Sequence, residues 1–189
     1  MSLTSKLAIQ AALNISSRHD IDYGIFVSRH GELQRTFKLL NDILAGEEAS
    51  PTAFSQSVHN TASGLFTIVA QKAIPVTSLA ACQDSFLQGV IEAYARFNSS
   101  DDKKVLLTCF DDFVPDVYSS FTDELPFCYV LAILLEKGDS WEIASEENTE
   151  VSNELRLPQA LQFMQSYTLQ KKSFYVDGTR NSWMWTCAS

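Results

Sequence analysis

A chain of 189 residues has room for one folded unit with a substantial core, and two independent units would be a tight fit. Its 46% hydrophobic and 20% charged residues are the balance of a globular protein and exclude a disordered one. The formal net charge of -9, with Lys and Arg scattered singly or in pairs, argues against a nucleic-acid partner, because affinity for a phosphate backbone needs clustered cations. Cys82, Cys109, Cys128 and Cys187 show no CxxC pairing and two of them sit in apolar runs, which argues against a disulfide framework or a zinc site and fits a reducing cytosol.

In chain order, the N-terminal stretch "MSLTSKLAIQAALNISSRH" reads as an amphipathic helix with Leu7, Ala11 and Ile15 on one face. Its apolar part is too short for a signal peptide or a membrane span. "YGIFVS", Tyr23 to Ser28, reads as a strand. Leu33, Phe37, Leu40 and Leu44 then recur at helical spacing, and Gly46 stops that helix in the position that tolerates left-handed backbone. A polar loop leads to a small-residue helix near Thr61 to Ala70. "IPVTSLAA" is the next strand, followed by a core helix from about Gln83 carrying Phe86, Val90, Tyr94 and Phe97. "VLLTCF", Val105 to Phe110, is apolar on both faces, as expected of a central strand covered on each side. The run from Phe127 to Glu136 fits a strand or a buried helix by periodicity alone, and is read as a strand. "KGDSWEIASEENTEVSNE" reads as a hairpin or loop, and Pro158 opens a last helix with Leu161, Met164 and Tyr167. This alternation predicts a layered α/β fold.

Cys82 lies where a strand ends and a helix begins, a place where a helix dipole and free backbone N–H groups would stabilise a thiolate and an oxyanion. The competing reading is a small buried hydrophobe among alanines. A nucleophile needs a base. The chain offers only His19, His30 and His59, all before Cys82 and all in surface or turn-like contexts. In "CFDDFVPDVYSSFTDELP", Asp111, Asp112, Asp116, Asp123 and Glu124 do not have the spacing of a calcium loop, so a solvated loop is expected there. Trp183, Met184 and Trp185 near the C-terminus read as core or interface.

Six segments resemble a known family: "SRHGEL" at Ser28 to Leu33, "SPTAFSQSVHN" at Ser50 to Asn60, "ASGL" at Ala62 to Leu65, "AACQDSF" at Ala80 to Phe86, "VLLTCFDDFVP" at Val105 to Pro115 and "LAILLE" at Leu131 to Glu136. Together they are similar to the N-terminal half of the ketoacyl synthases of the thiolase superfamily, and in particular to small chain length factors of bacterial aryl-polyene clusters. The resemblance implies a thiolase-like half-fold, a mixed sheet covered by helices, with residues 1–189 as one N-terminal module truncated relative to complete synthases. It places Cys82 on or within one position of the nucleophile, with Gln83 beside it, and a glutamine stands at that position in one class of such factors.

The family's two catalytic histidines come from the C-terminal half. The resemblance therefore implies a non-catalytic cytoplasmic subunit with a vestigial nucleophile, needing no cofactor or metal. It would pair as a heterodimer with a full-length beta-ketoacyl-ACP synthase, stabilise it and shape its acyl tunnel, meeting the acyl carrier protein only indirectly. His59, Asn60, Phe86 and Tyr129 are the tunnel or interface candidates. The alternative is a cysteine-dependent acyltransferase or thioesterase using Cys82 with His59 or His30.

Overall fold

The computed structural model describes residues 1–147 and 155–188. The chain runs α1 (Leu3–Ser16), β1 (Tyr23–Val27), α2 (Leu33–Leu44), α3 (Pro51–Ser55), α4 (Thr61–Ala70), β2 (Val76–Leu79), α5 (Ser85–Ser99) and β3 (Lys104–Asp111). A 3-10 helix (Asp116–Phe121) follows, then β4 (Tyr129–Glu136), β5 (Trp141–Glu147), α6 (Gln159–Thr168), β6 (Ser173–Asp177) and β7 (Asn181–Cys187).

The first sheet has the order β2-β1-β3-β4, with β2, β1 and β3 parallel and β4 antiparallel along β3. Successive side chains point to opposite faces, so both faces of this sheet are buried. Ile25, Val27, Val105, Leu107 and Cys109 pack with Phe86, Leu87 and Ala93 of α5 on one side. Phe26, Leu106 and Phe110 pack with Ala8, Ile9 and Ala12 of α1 and Ala62 and Phe66 of α4 on the other. Gly89 lets α5 approach: a Cβ there would lie 2.8 Å from both Leu107 and Val27 side-chain carbons.

A second sheet, antiparallel and ordered β5-β7-β6, closes the other side of the α5–α6 layer. Phe174 and Val176 of β6 and Trp185 of β7 face α6, where Phe163 lies 4.8 Å from Trp185 and 5.3 Å from Phe86, ring to ring. The layers are thus helix, sheet, helix, sheet.

Two helical stripes differ from the sequence expectation. Leu7 is 45% exposed, and α1 instead buries Ala8, Ile9 and Ala12 together with Thr4, Ser5 and Ser16. Polar residues can occupy that face because they are bonded: Ser5 donates to Glu32, and Thr4 Oγ1 donates to Asp112 Oδ2 at 2.7 Å. In α2 the predicted stripe is largely in solvent, with Leu40 48% and Leu44 84% exposed and only Leu39 buried. Gly46 does take the left-handed conformation expected of it, at φ +85. The expected loop after it contains the short α3.

The run read as hairpin or loop holds β5, and residues 148–154 of it lie outside the described part. β6 and β7 form a hairpin that the sequence reading missed, although "SFYVDG" carries both the period-2 alternation and an Asp-Gly turn.

Thr108, fully buried in β3, keeps a hydroxyl with no partner among the described residues. Thr108→Val removes that desolvated group at nearly constant shape and is expected to stabilise the chain by about 1 kcal/mol, a rise of roughly 2–4 °C in Tm. An unchanged or lower Tm in thermal unfolding would show that the hydroxyl is satisfied.

Candidate functional site

In parallel α/β sheets, functional groups gather beyond the carboxyl ends of the strands. Here β1 delivers Ser28, Arg29 and His30, β2 delivers the Ala81–Asp84 turn, and β3 ends on Asp111.

Asp111 is buried and collects donors from the turn after β1. Its Oδ1 accepts Ser28 Oγ at 2.7 Å and the His30 amide at 2.9 Å, and its Oδ2 accepts the Arg29 amide at 3.0 Å, with Tyr129 Oη at 3.5 Å. Burial pushes the Asp111 carboxyl up against the pull of the His30 and Arg29 amides. Burial also pushes His30 down, against the attraction of Asp111, and pushes the Tyr129 phenol well up, beside the Asp111 carboxyl.

Gly31, at φ +57, closes the turn, its amide donating to Ser28 Oγ at 2.7 Å. A Cβ there would sit 3.0 Å from the His59 ring. His59 Nε2 donates to the Ser28 carbonyl at 2.8 Å, so that nitrogen carries the proton and is committed to backbone. Asn60 stands exposed at the start of α4.

Arg29 ties this turn to the acidic segment: its Nη1 is 2.6 Å from Asp123 and 3.1 Å from Glu124. The solvated loop expected here is therefore corrected for four of its five acids, Asp112 being bonded to Thr4. Asp111, Asp123 and Glu124 organise the carboxyl end of the sheet, and among the described residues no cluster of three or more His, Cys, Asp or Glu could hold a metal ion.

Burial pushes Glu124 up to about 7, against the attraction of Arg29. A carboxyl raised in the folded state binds more protons there than in the unfolded chain, so its contribution to stability falls as pH rises from about 4.5 to 7. Glu124→Gln is expected to remove that slope. Unfolding midpoints of both proteins at pH 5, 6, 7 and 8 check it, and parallel profiles would refute the assignment.

The turn at Cys82 is strained and tied down. Cys82 has φ +51, a conformation costing an L-residue roughly 1–2 kcal/mol, and its side chain is exposed. The Ala81 amide donates to Ser85 Oγ at 2.9 Å, and Ser85 Oγ donates to the Cys82 carbonyl at 2.7 Å. Gln83 donates to Asp123 and accepts Thr179 Oγ1 at 2.8 Å. Asp84 Oδ1 accepts Gln159 Nε2 at 3.0 Å and the Thr179 amide at 2.9 Å. Buried Gln159 also accepts the Leu87 amide at 3.2 Å, occupying one of the helix-start donors that an oxyanion would use. Phe86 points away into the aromatic core.

Cys82 is bonded to none of His19, His30 or His59 among the described residues. The cleft against Arg29, His30, Glu124 and Tyr129 holds about 40 Å³, and the one beside Gln83 about 20 Å³. These volumes suit a few waters, whereas a small-molecule site needs several hundred. Sequence reasoning missed Arg29 and Gln159, whose importance comes from partners far along the chain.

The Cys82 turn and its polar frame thus sit at the carboxyl end of the first sheet. The chain belongs to the beta-ketoacyl synthase N-terminal domain family, whose model matches residues 1–186. It is similar to a chain in the structure of a ketosynthase, ApeO, in complex with its chain length factor, ApeC, from Xenorhabdus doucetiae, at 34% identity and a TM-score of 0.91 over 98% of this chain and 78% of that one. The ishigamide ketosynthase/chain length factor shares the fold, with 14% identity and a TM-score of 0.63 over 79% of this chain and 50% of that one. The fold is thus a layered thiolase-like α/β half-fold. Among curated proteins no sequence matches, and among the described residues no helix is long and apolar enough to cross a membrane.

Proposed function

We propose that this chain is a non-catalytic, chain-length-factor-like subunit that pairs with a full-length beta-ketoacyl-ACP synthase in polyketide or aryl-polyene synthesis, stabilising it and shaping its acyl tunnel. The observation that carries this reading is β2, whose carboxyl end is closed to chemistry and whose outer edge is open to a partner. The Gly24 amide donates to the Pro75 carbonyl and the Ser28 amide to the Leu79 carbonyl, so residues 75, 77 and 79 turn their backbone toward β1. By alternation, Val76 and Ser78 turn theirs outward, where an unpaired edge recruits a strand. α4 and α5 cover β2 from opposite faces, and α4 keeps Ile68 and Val69 in solvent, apolar surface that a second chain would bury.

Residues 1–189 act as one ketoacyl-synthase-like unit in this reading. His59 and Asn60, at the head of α4, lie on the partner-facing side, while Phe86 and Tyr129 support α5 and the Asp111 frame. Condensing chemistry belongs to the synthase. So does docking of an acidic carrier protein, which the -9 charge of this chain would repel. Four free cysteines fit the cytoplasm. The acyltransferase alternative finds no support: the His59 ring is committed to the Ser28 carbonyl, and among the described residues Cys82 is bonded to neither His59 nor His30.

Co-expression with a full-length synthase, followed by size-exclusion chromatography with light scattering, is expected to give a 1:1 complex. Two separate monomers would refute the pairing. In that complex Cys82→Ala is expected to leave condensing activity within about twofold, and its loss with assembly intact would make Cys82 catalytic.

A further inference from the structure

We propose that the groove between α5 and the three-stranded sheet binds a linear amphiphile, its apolar chain lying along α5 and its anionic head group meeting Lys171 and Lys172. The site is separate from the Cys82 turn and does not depend on the partner-subunit reading.

Two cavities meet at Trp141, which forms a wall of each. The first holds about 500 Å³ and is walled by Val90, Ile91 and Tyr94 of α5 against Ile143 and Trp183 of β5 and β7. The second holds about 440 Å³ and is lined by Met164, Tyr167, Lys171 and Lys172. Both are the size of small-ligand sites, more than ten times the clefts at the carboxyl end of the first sheet.

The charge distribution sets the direction of the ligand. The apolar cavity carries one carboxylate, Glu142, which repels an anion from that end. Among the described residues the second cavity is lined by two lysines and no carboxylate, in a chain of net charge -9, and neither lysine has an ion-pair partner there. An aliphatic chain gains from the aromatic and branched walls, and a carboxylate gains from the paired ammonium groups.

The floor under Trp141 is rigid enough to hold this shape. Its ring packs edge-on against Phe174 at 5.7 Å and against Trp185 at 6.3 Å. Ligand entry therefore changes the surroundings of an indole, which gives a direct signal.

The full chain would be titrated with octanoate, decanoate and dodecanoate below their micelle-forming concentrations, following tryptophan fluorescence. Saturable binding is expected, tightening about fourfold per added methylene. Dodecyltrimethylammonium, with the same chain and the opposite head, is expected to bind at least tenfold more weakly. Lys171→Glu with Lys172→Glu should weaken dodecanoate about tenfold, and Ile143→Asp should weaken every chain length, with circular dichroism confirming the fold. No saturable binding, or equal binding of the ammonium head group by the unmodified chain, would overturn the proposal. So would loss of dodecanoate binding in the co-purified synthase complex, which would make the groove a partner's docking face.

Discussion

Asp111→Ala is expected to destabilise the chain by about 3–5 kcal/mol, enough to bring a domain of ordinary stability close to unfolding. The carboxylate is the single acceptor for the Ser28 hydroxyl and for the Arg29 and His30 amides, all beneath a buried turn. Each donor left without a partner costs about 1–3 kcal/mol where water does not take the place of the carboxylate. Alanine cannot replace any of these bonds, and the turn that seats His59 and orients Arg29 toward Asp123 loses its anchor. Asp111→Asn keeps one acceptor oxygen and should lose roughly half as much. Urea midpoints with unchanged m-values would measure both, and a loss under about 1 kcal/mol for alanine would mean that water already satisfies these donors.

Association with a synthase should fail when the β2 edge is blocked. Ser78→Pro removes an N–H that faces away from β1, so the internal ladder survives while strand addition does not. The substitution also loses the 2.7 Å contact between Ser78 and Ser63 hydroxyls, a cost of about 1 kcal/mol to the chain itself. Ile68→Asp tests the same surface without touching the backbone, because Ile68 is 70% exposed in the free chain. A central contact of this kind is worth about 2 kcal/mol, so each variant should weaken the complex about 30-fold. Light scattering on the co-expressed pair, with circular dichroism as a check on folding, gives the answer. Unchanged 1:1 assembly in both would move the interface away from β2.

The sequence by itself determined most of the elements in the first 136 residues, but neither α3 nor the 3-10 helix. Helical spacing placed α2, α4 and α5, the doubly apolar run placed β3 at the sheet centre, and Gly46 marked a left-handed stop, because these signals are carried by neighbours within a turn or two of chain. The strand-to-helix position of Cys82 was equally legible, and with the quoted motifs it gave the family.

Tertiary structure decided what those elements touch. It put Ser5 and Thr4 on the buried face of α1 in place of Leu7, since Glu32 and Asp112 wait there to bond them. It turned a seemingly solvated acidic loop into the clamp on Arg29, across 94 residues of chain. It brought Gln159 from α6 to the start of α5, where it accepts the Leu87 amide and donates to Asp84. It also assembled the second sheet and the groove at Trp141 from segments that each look weak alone. Burial and long-range bonding depend on which surfaces the fold brings together, and no window of local sequence contains that information.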